Sequence, residues 1–242
     1  MTKRLFDIAV ALLALLIAAP VVMIASLLIW LGDGRGPLYG GIRVGCGGRD
    51  FRMLKLRTMV AGAERLGGTS TAATDWRLTP LGAQLRRWKL DELPQFWNVL
   101  IGEMSIVGPR PNVRTNGVDR YTAEEQRLLS VRPGITDLAS IVFADEGEIL
   151  SGAADPDVLY DAVIRPWKNR LGLIYVQHRS LALDIRLVAL TALALVSRRA
   201  TLRQVNAILA SLDADPELRE ICERSAPLPA GEPPGANPAT PS

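Results

Sequence analysis

Charged residues vanish from the chain between Ile8 and Leu31, a stretch of 24 positions. As a straight helix such a run would reach ~36 Å, enough to span a bilayer. Lys3 and Arg4 precede it and Arg35, Arg43 and Arg49 follow it. Basic residues on both flanks favour keeping both ends on the cytoplasmic side. Pro20, near the centre, denies the Leu16 carbonyl its helical partner and predicts a kink. A kinked helix that enters and leaves one leaflet satisfies both facts. A signal peptide and a single-pass span are the rival readings, the first disfavoured by the length of the apolar run.

Beyond Gly32 the pattern changes period. LYGGIRVG and RDFRMLKLR read as two short strands around the turn GCGG, with Lys55 and Arg57 on one face of the second. From Val60 to Asp75 a short helical turn passes into a flexible polar loop. Thr79-Pro80 is an N-cap and N1 pair opening a helix through LGAQLRRWKL. Leu181 to Val196 is apolar but carries Asp184 and Arg186, which predicts an interfacial or packed helix rather than a span. Asp215-Pro216 starts one more short helix. From Ser225 onward, prolines with almost no bulky apolar residue predict a disordered tail. The expected fold class is α+β and mostly helical. A membrane helix (1–34) precedes one domain with a β-hairpin and interfacial helices (35–200), a helical segment (201–224) and the tail (225–242).

The stretch KLDELPQFWNVLIGEMSIVGPRP concentrates the candidate chemistry. Pro94 is tolerated only in the first turn of a helix, so a helix through Gln95 to Leu100 begins close to Asp91. Asp91 is then expected at or near the N-cap with Glu92 in the first turn, where unpaired N–H groups favour ionised carboxylates. Such a pair suits a divalent cation or a nucleophile; on spacing alone a plain helix cap is the favoured reading. Arg86 and Arg87 fall about one turn earlier, within reach of the same polyanion. MSIVGPRPN reads as an extended loop. Pro109 and Pro111 hold Arg110 on stiff backbone, where a guanidinium suits phosphate recognition. Arg132 in VRPGIT repeats that pattern more weakly.

Composition removes several alternatives. A net charge of +3 and a pI near 9.1 suit anionic lipid or phosphate ligands. No run of five basic residues, helix-turn-helix or RNP signature appears, which argues against nucleic acid. Cys46 and Cys222 are too few for a disulfide framework. With His178 the single histidine, a His-rich zinc site is excluded and a Ser-His-Asp triad disfavoured. Neither a Walker nor a Rossmann glycine signature is present.

The blocks KRLFD, FRMLKLRTM, LDELPQFWNVL, MSIVGPRP, VRPGIT and YVQHRSLALDIRL, in that order, resemble the bacterial sugar transferases. These are monotopic phosphoglycosyl transferases, and the resemblance runs from about residue 3 to 195. It implies transfer of a sugar-1-phosphate from a nucleotide diphosphate-sugar, a UDP-sugar above all, to membrane polyprenyl (undecaprenyl) phosphate. The products would initiate exopolysaccharide, O-antigen or glycoconjugate synthesis. Asp91 is the implied nucleophile, forming an aspartyl phospho-sugar, and Glu92 the implied Mg²⁺ ligand. Arg86, Arg110, Lys55 and Arg57 are implied phosphate ligands, and Pro20 the kink of a re-entrant helix. The implied location is the cytoplasmic face of the bacterial inner membrane, and a homodimer is compatible with it. Three positions depart from the commoner family form: Ala19 stands where a serine often precedes the kink, Asp137 where glycine is usual, and Ser140 where glutamine is usual. A non-catalytic module binding anionic lipid through its basic face is the alternative.

Overall fold

The computed structural model describes residues 2–66, 71–72, 74–115 and 117–236. Its first element, α1 (Thr2–Asp33), is a single 32-residue helix that runs through Pro20. The buried positions Asp7, Ala11, Ala18, Ala25 and Ile29 share one stripe, because steps of four and seven residues return to the same helical face. Small alanines let that stripe lie close to the protein. Leu12, Leu13, Leu16, Ile17, Ile24, Leu27 and Leu28 point outward and are exposed. It is the one helix among the described residues long and apolar enough to cross a membrane.

Both ends of α1 dock on the same body. Arg4 donates to the carbonyls of Val99 (2.6 Å) and Leu100 (2.7 Å). At the far end Asp33 meets Arg57 at 2.6 Å. Phe6, Val10 and Ala11 join the main core, whereas Val22, Ala25 and Ile29 pack with Leu56 and Leu85.

The predicted hairpin forms as β1 (Leu38–Val44) and β2 (Asp50–Leu56), antiparallel, with Tyr39 opposite Lys55. Gly47 and Gly48 take φ of 68° and 74° in its turn, a conformation that costs glycine nothing. Phe51, Met53 and Leu56 are buried. The loop expected from Val60 to Asp75 contains a 3-10 turn, Ala63–Leu66, and otherwise lies partly outside the described residues. Thr79 caps α2 (Pro80–Arg87) by accepting from Gly82 N at 2.9 Å.

Next come α3 (Gln95–Ile101) and β3 (Ser105–Val107). The latter corrects the expectation of an unpaired extended loop, since it pairs in parallel with β4 (Gly134–Thr136). The helices α4 (Leu138–Val142), α5 (Glu146–Ile149), α6 (Pro156–Val163), α7 (Arg165–His178) and α8 (Leu181–Ala194) complete the body. Asp137 has a plain local role, capping α4 by accepting from Ser140 N at 2.6 Å.

The core does not stop at residue 200. Leu202, Val205, Ile208 and Leu209 of α9 (Arg198–Ser211), with Leu218 and Cys222 of α10 (Pro216–Glu223), belong to the same buried cluster as Leu138 and Trp167. The proline-rich stretch expected to be disordered lies against α6 and α7 over its described part, 225–236. Trp167 Nε1 donates to Pro229 O at 3.1 Å and Gly231 N to Ala162 O at 2.9 Å. The tail thus accepts from α7 through one carbonyl and donates to α6 through one amide.

A buried polar knot ties α1 to this body. Asp184 on α8 is fully buried and accepts from Lys3 Nζ (2.7 Å) and from the Tyr175 hydroxyl (2.7 Å). Lys3 and Tyr175 both also reach Val107 O, while Asp7 accepts from Ser105 Oγ (3.0 Å) and Ile106 N (3.1 Å). This explains the acid inside the apolar Leu181–Val196 stretch. Asp184 faces inward and is paired, while Arg186, Ile185 and Leu195 stay exposed.

Candidate active site

The turn between α2 and α3 carries the two acids, by a route that differs from the expected cap. Lys89 takes φ of 56° and ends α2. Leu90–Glu92 then form a 3-10 turn, and regular α-helix begins only at Gln95. Pro94 has no N–H and cannot bond back to Leu90, so the path is helical before the bonding is. Asp91 therefore caps nothing. It is 3 % exposed and makes no hydrogen bond or ion pair with the described residues. Burial raises its carboxyl above the ordinary value, against the opposing pull of Lys55 and Arg86.

Glu92 has the opposite environment. Lys55 Nζ lies 3.1 Å from its Oε1, and the Arg110 guanidinium clasps both oxygens. Burial alone would raise this carboxyl, but Arg110 and Lys55 outweigh it and hold Glu92 well below the usual carboxylate range. Glu92 in turn holds Arg110 above its ordinary value. Two adjacent carboxylates are thus split: one is committed to cations and the other is left open.

Tertiary contacts bring these groups together. The hairpin supplies Lys55, and the buried face of β2 is locked to α3 by Asn98, which accepts from Leu54 N (3.0 Å) and donates to Arg52 O (2.8 Å). Arg86 leans back, its Nε donating to Thr58 Oγ1 at 2.9 Å. Arg110 follows β3, and the seating of its loop depends on two glycines. A Cβ on Gly108 would fall 2.4 Å from Arg132 O, and one on Gly134 would fall 2.1 Å from Gly108 N. The two loops, VGPRP and RPGIT, therefore press backbone to backbone, with Gly134 N donating to Pro109 O at 3.1 Å.

Not every candidate arrives. Arg57 lies beyond the end of β2, where both its terminal nitrogens hold Asp33 at 2.6 Å and its Nε donates to Gly36 O. It fastens the end of α1 and is not gathered around Glu92. Arg132 donates to Gly102 O at 2.9 Å, so its motif serves the site through Gly134. Arg87 is exposed, 5.9 Å from the Trp88 ring centre.

Other groups reach the site without any signal in the sequence. Lys168 on α7 pairs with Glu146 on α5 at 2.5 Å. Glu146 and Asp137 act on Arg110 alongside Glu92. Arg43 on β1 is close enough that Arg110, with burial the larger cause, lowers its proton affinity. These residues are scattered through the chain, and only the packing of α5, α7 and the hairpin around β3 assembles them. The resulting surface has two carboxylates among Lys55, Arg86 and Arg110, with Arg43 near Arg110, which suits a polyanion carrying phosphates.

Comparison with known proteins identifies the family. Residues 1–198 match the family described as "Bacterial sugar transferase". An exopolysaccharide production protein, ExoY, of Sinorhizobium fredii is 37% identical over 155 residues, covering 58% of this chain and 68% of that protein. The UDP-N-acetylgalactosamine-undecaprenyl-phosphate N-acetylgalactosaminephosphotransferase of Aeromonas hydrophila is 36% identical over 77% of this chain and 41% of its own length. The undecaprenyl-phosphate glucose phosphotransferase of Komagataeibacter xylinus is 38% identical over 78% of this chain and 35% of that protein. The chain thus spans well under half of the last two relatives. With the match running from the first residue of α1 to the start of α9, through both acids and Arg110, the chain belongs to the bacterial sugar transferase family.

Proposed function

We propose that this protein transfers a sugar-1-phosphate from a nucleotide diphosphate-sugar to undecaprenyl phosphate at a membrane surface, through a covalent intermediate on Asp91. The observation that carries this reading is the contrast between the acids. Asp91 is buried, unpartnered among the described residues and near Lys55, Arg86 and Lys89, as a nucleophile awaiting an anionic substrate would be. A carboxylate oxygen of Asp91 attacks the sugar-bearing phosphorus, the bridging P–O bond breaks, and its electron pair leaves on the nucleoside monophosphate. The lipid phosphate then attacks the same phosphorus and frees Asp91. Arg86 and Arg110 neutralise the phosphate oxygens, with Lys55 beside them.

Mg²⁺ fits the donor set. The described residues hold no group of three or more candidate metal ligands. Magnesium is commonly bound by one or two carboxylates with substrate phosphates supplying the rest. Glu92, which stays ionised, would hold it in exchange for one of its present cationic partners, Lys55 or Arg110, and when bound the ion would neutralise charge on the diphosphate.

The donor is read as a UDP-sugar because the Aeromonas relative's name carries one. The membrane reading rests on α1. Its outward face is apolar, and both its ends dock on one body, which suits a helix that enters and leaves the cytoplasmic leaflet near Pro20. The site then lies at the headgroup plane, where the acceptor's phosphate sits.

The test is to trap the intermediate. Full-length protein in detergent, given Mg²⁺ and a panel of sugar-labelled UDP-sugars without lipid, should acquire label on the peptide containing Asp91. Undecaprenyl phosphate should discharge it, and Asp91→Asn should lower UMP release by roughly three orders of magnitude or more. UMP release only in the presence of lipid, with no adduct, would mean direct transfer and would remove the role given to Asp91.

A further inference from the structure

One side chain next to the acids has no partner that would account for its burial. Gln95 is 0 % exposed, and neither its Nε2 nor its Oε1 makes a hydrogen bond. Leaving a buried donor and acceptor unpaired is costly, because neither water nor protein replaces the lost hydrogen bonds. The next polar residue along the same face shows the usual solution. Asn98 accepts from Leu54 N and donates to Arg52 O and to Glu103 Oε2, the last at 2.6 Å.

Leu93 and Pro94 both have right-handed helical backbone angles. The path from the 3-10 turn into α3 therefore stays helical, and Asp91, Gln95, Asn98 and Val99 form one buried stripe. Positions four apart on such a path have neighbouring side chains. Asp91 and Gln95 are thus one turn apart, both buried and both without a partner. Flanking them, Glu92 and Asn98 are fully engaged.

We propose that Gln95 is a positioning residue for Asp91. With donor bound, its Nε2–H group donates to one carboxylate oxygen of Asp91 and turns the other toward phosphorus. This rests on the covalent reading above. The free Asp91 oxygen forms the new O–P bond as the bridging P–O bond breaks. The electron pair departs on the nucleoside monophosphate, and Gln95 neither gains nor loses a proton. Oxygen and nitrogen in the amide have distinct roles: Nε2 faces the carboxylate, and Oε1 is left to accept from a donor-bound water or hydroxyl.

The test uses Gln95→Met, which keeps the length and removes both polar atoms, with Gln95→Leu as a second variant. Thermal unfolding and single-turnover labelling of Asp91 by the UDP-sugar that labels wild type are measured on the same preparations. Removing an unpaired buried amide predicts an unfolding temperature equal to or above that of wild type. Losing the orienting bond predicts labelling about 10- to 100-fold slower, with the donor concentration at half-maximal rate within about twofold of wild type. Labelling at the wild-type rate in a stable variant overturns the proposal, because Asp91 is then oriented without Gln95. A parallel loss of stability and rate in both variants also overturns it, because that is what a structural role predicts. If wild type itself forms no adduct, the covalent reading fails and this inference with it. An intact wild-type adduct with unaffected variants sinks this inference alone.

Discussion

Tyr175→Phe removes a single oxygen from the knot that joins α1, β3, α7 and α8, and its effect can be worked out from the structure. The hydroxyl donates at 2.7 Å to Asp184, a carboxylate with no solvent exposure, and lies 3.0 Å from Val107 O. Phenylalanine preserves the ring packing and cannot replace that bond. A hydrogen bond to a charged group contributes ~1.5–3 kcal/mol. For a chain of this size each kcal/mol moves the unfolding temperature by about 2–4 °C, so the expected fall is roughly 3–12 °C. Lys3 holds the other Asp184 oxygen, so the two bonds share one carboxylate. A double-mutant cycle of Tyr175→Phe with Lys3→Met should therefore show a coupling of at least ~0.5 kcal/mol. Thermal unfolding of the purified protein in one detergent, at one scan rate, supplies all four values. A Tyr175→Phe shift below about 1 °C would refute the reasoning, since Asp184 would then be satisfied without the hydroxyl. Additivity in the cycle would show that the knot is not one unit.

The two acids should respond to neutralisation with opposite signs. Glu92 has a depressed carboxyl, so the stability it contributes is present above its unfolded value of 4.5 and is lost as pH falls through the folded one. Asp91 has a raised carboxyl, so its penalty on folding sets in as pH rises above its unfolded value of 3.8 and is complete above the folded one. At pH 7 Glu92→Gln should lower the unfolding temperature, whereas Asp91→Asn should leave it equal or higher; a loss of the same size in both would contradict the split environments. For topology, single cysteines at Thr2 and Arg49, in a background without Cys46 and Cys222, should both be labelled only from the cytoplasmic side of right-side-defined vesicles. Pro20→Leu should move part of the Thr2 label to the far side, and far-side labelling in the parent protein would rule out the re-entrant helix.

Much of the molecule was legible one residue at a time. An uncharged run of this length is expected to be helical in an apolar surrounding, because there its backbone must satisfy itself, and α1 is such a helix. Gly47 and Gly48 announce a tight turn, and Thr79-Pro80 and Asp215-Pro216 announce helix starts that the structure shows capped by Thr79 and Asp215. The acids, Arg86, Arg110 and Lys55 were identifiable as chemistry-bearing residues, with resemblance raising them above surface charge.

The sequence could not reveal which charges meet. Asp91 looked like a helix cap because local spacing sees only the next turn; its burial depends on the hairpin and α2 closing over it. Arg57 and Lys55 are two positions apart, yet one pairs with Asp33 and the other with Glu92, because the strand ends between them. The glycines of VGPRP and RPGIT touch across the parallel pairing of β3 with β4, a long-range contact with no periodic trace. Lys168, Glu146 and Arg43 reach the site only after α5, α7 and β1 have packed. Local propensity is set by neighbours along the chain, whereas ion pairing and desolvation are set by neighbours in space, and only the folded structure decides the latter.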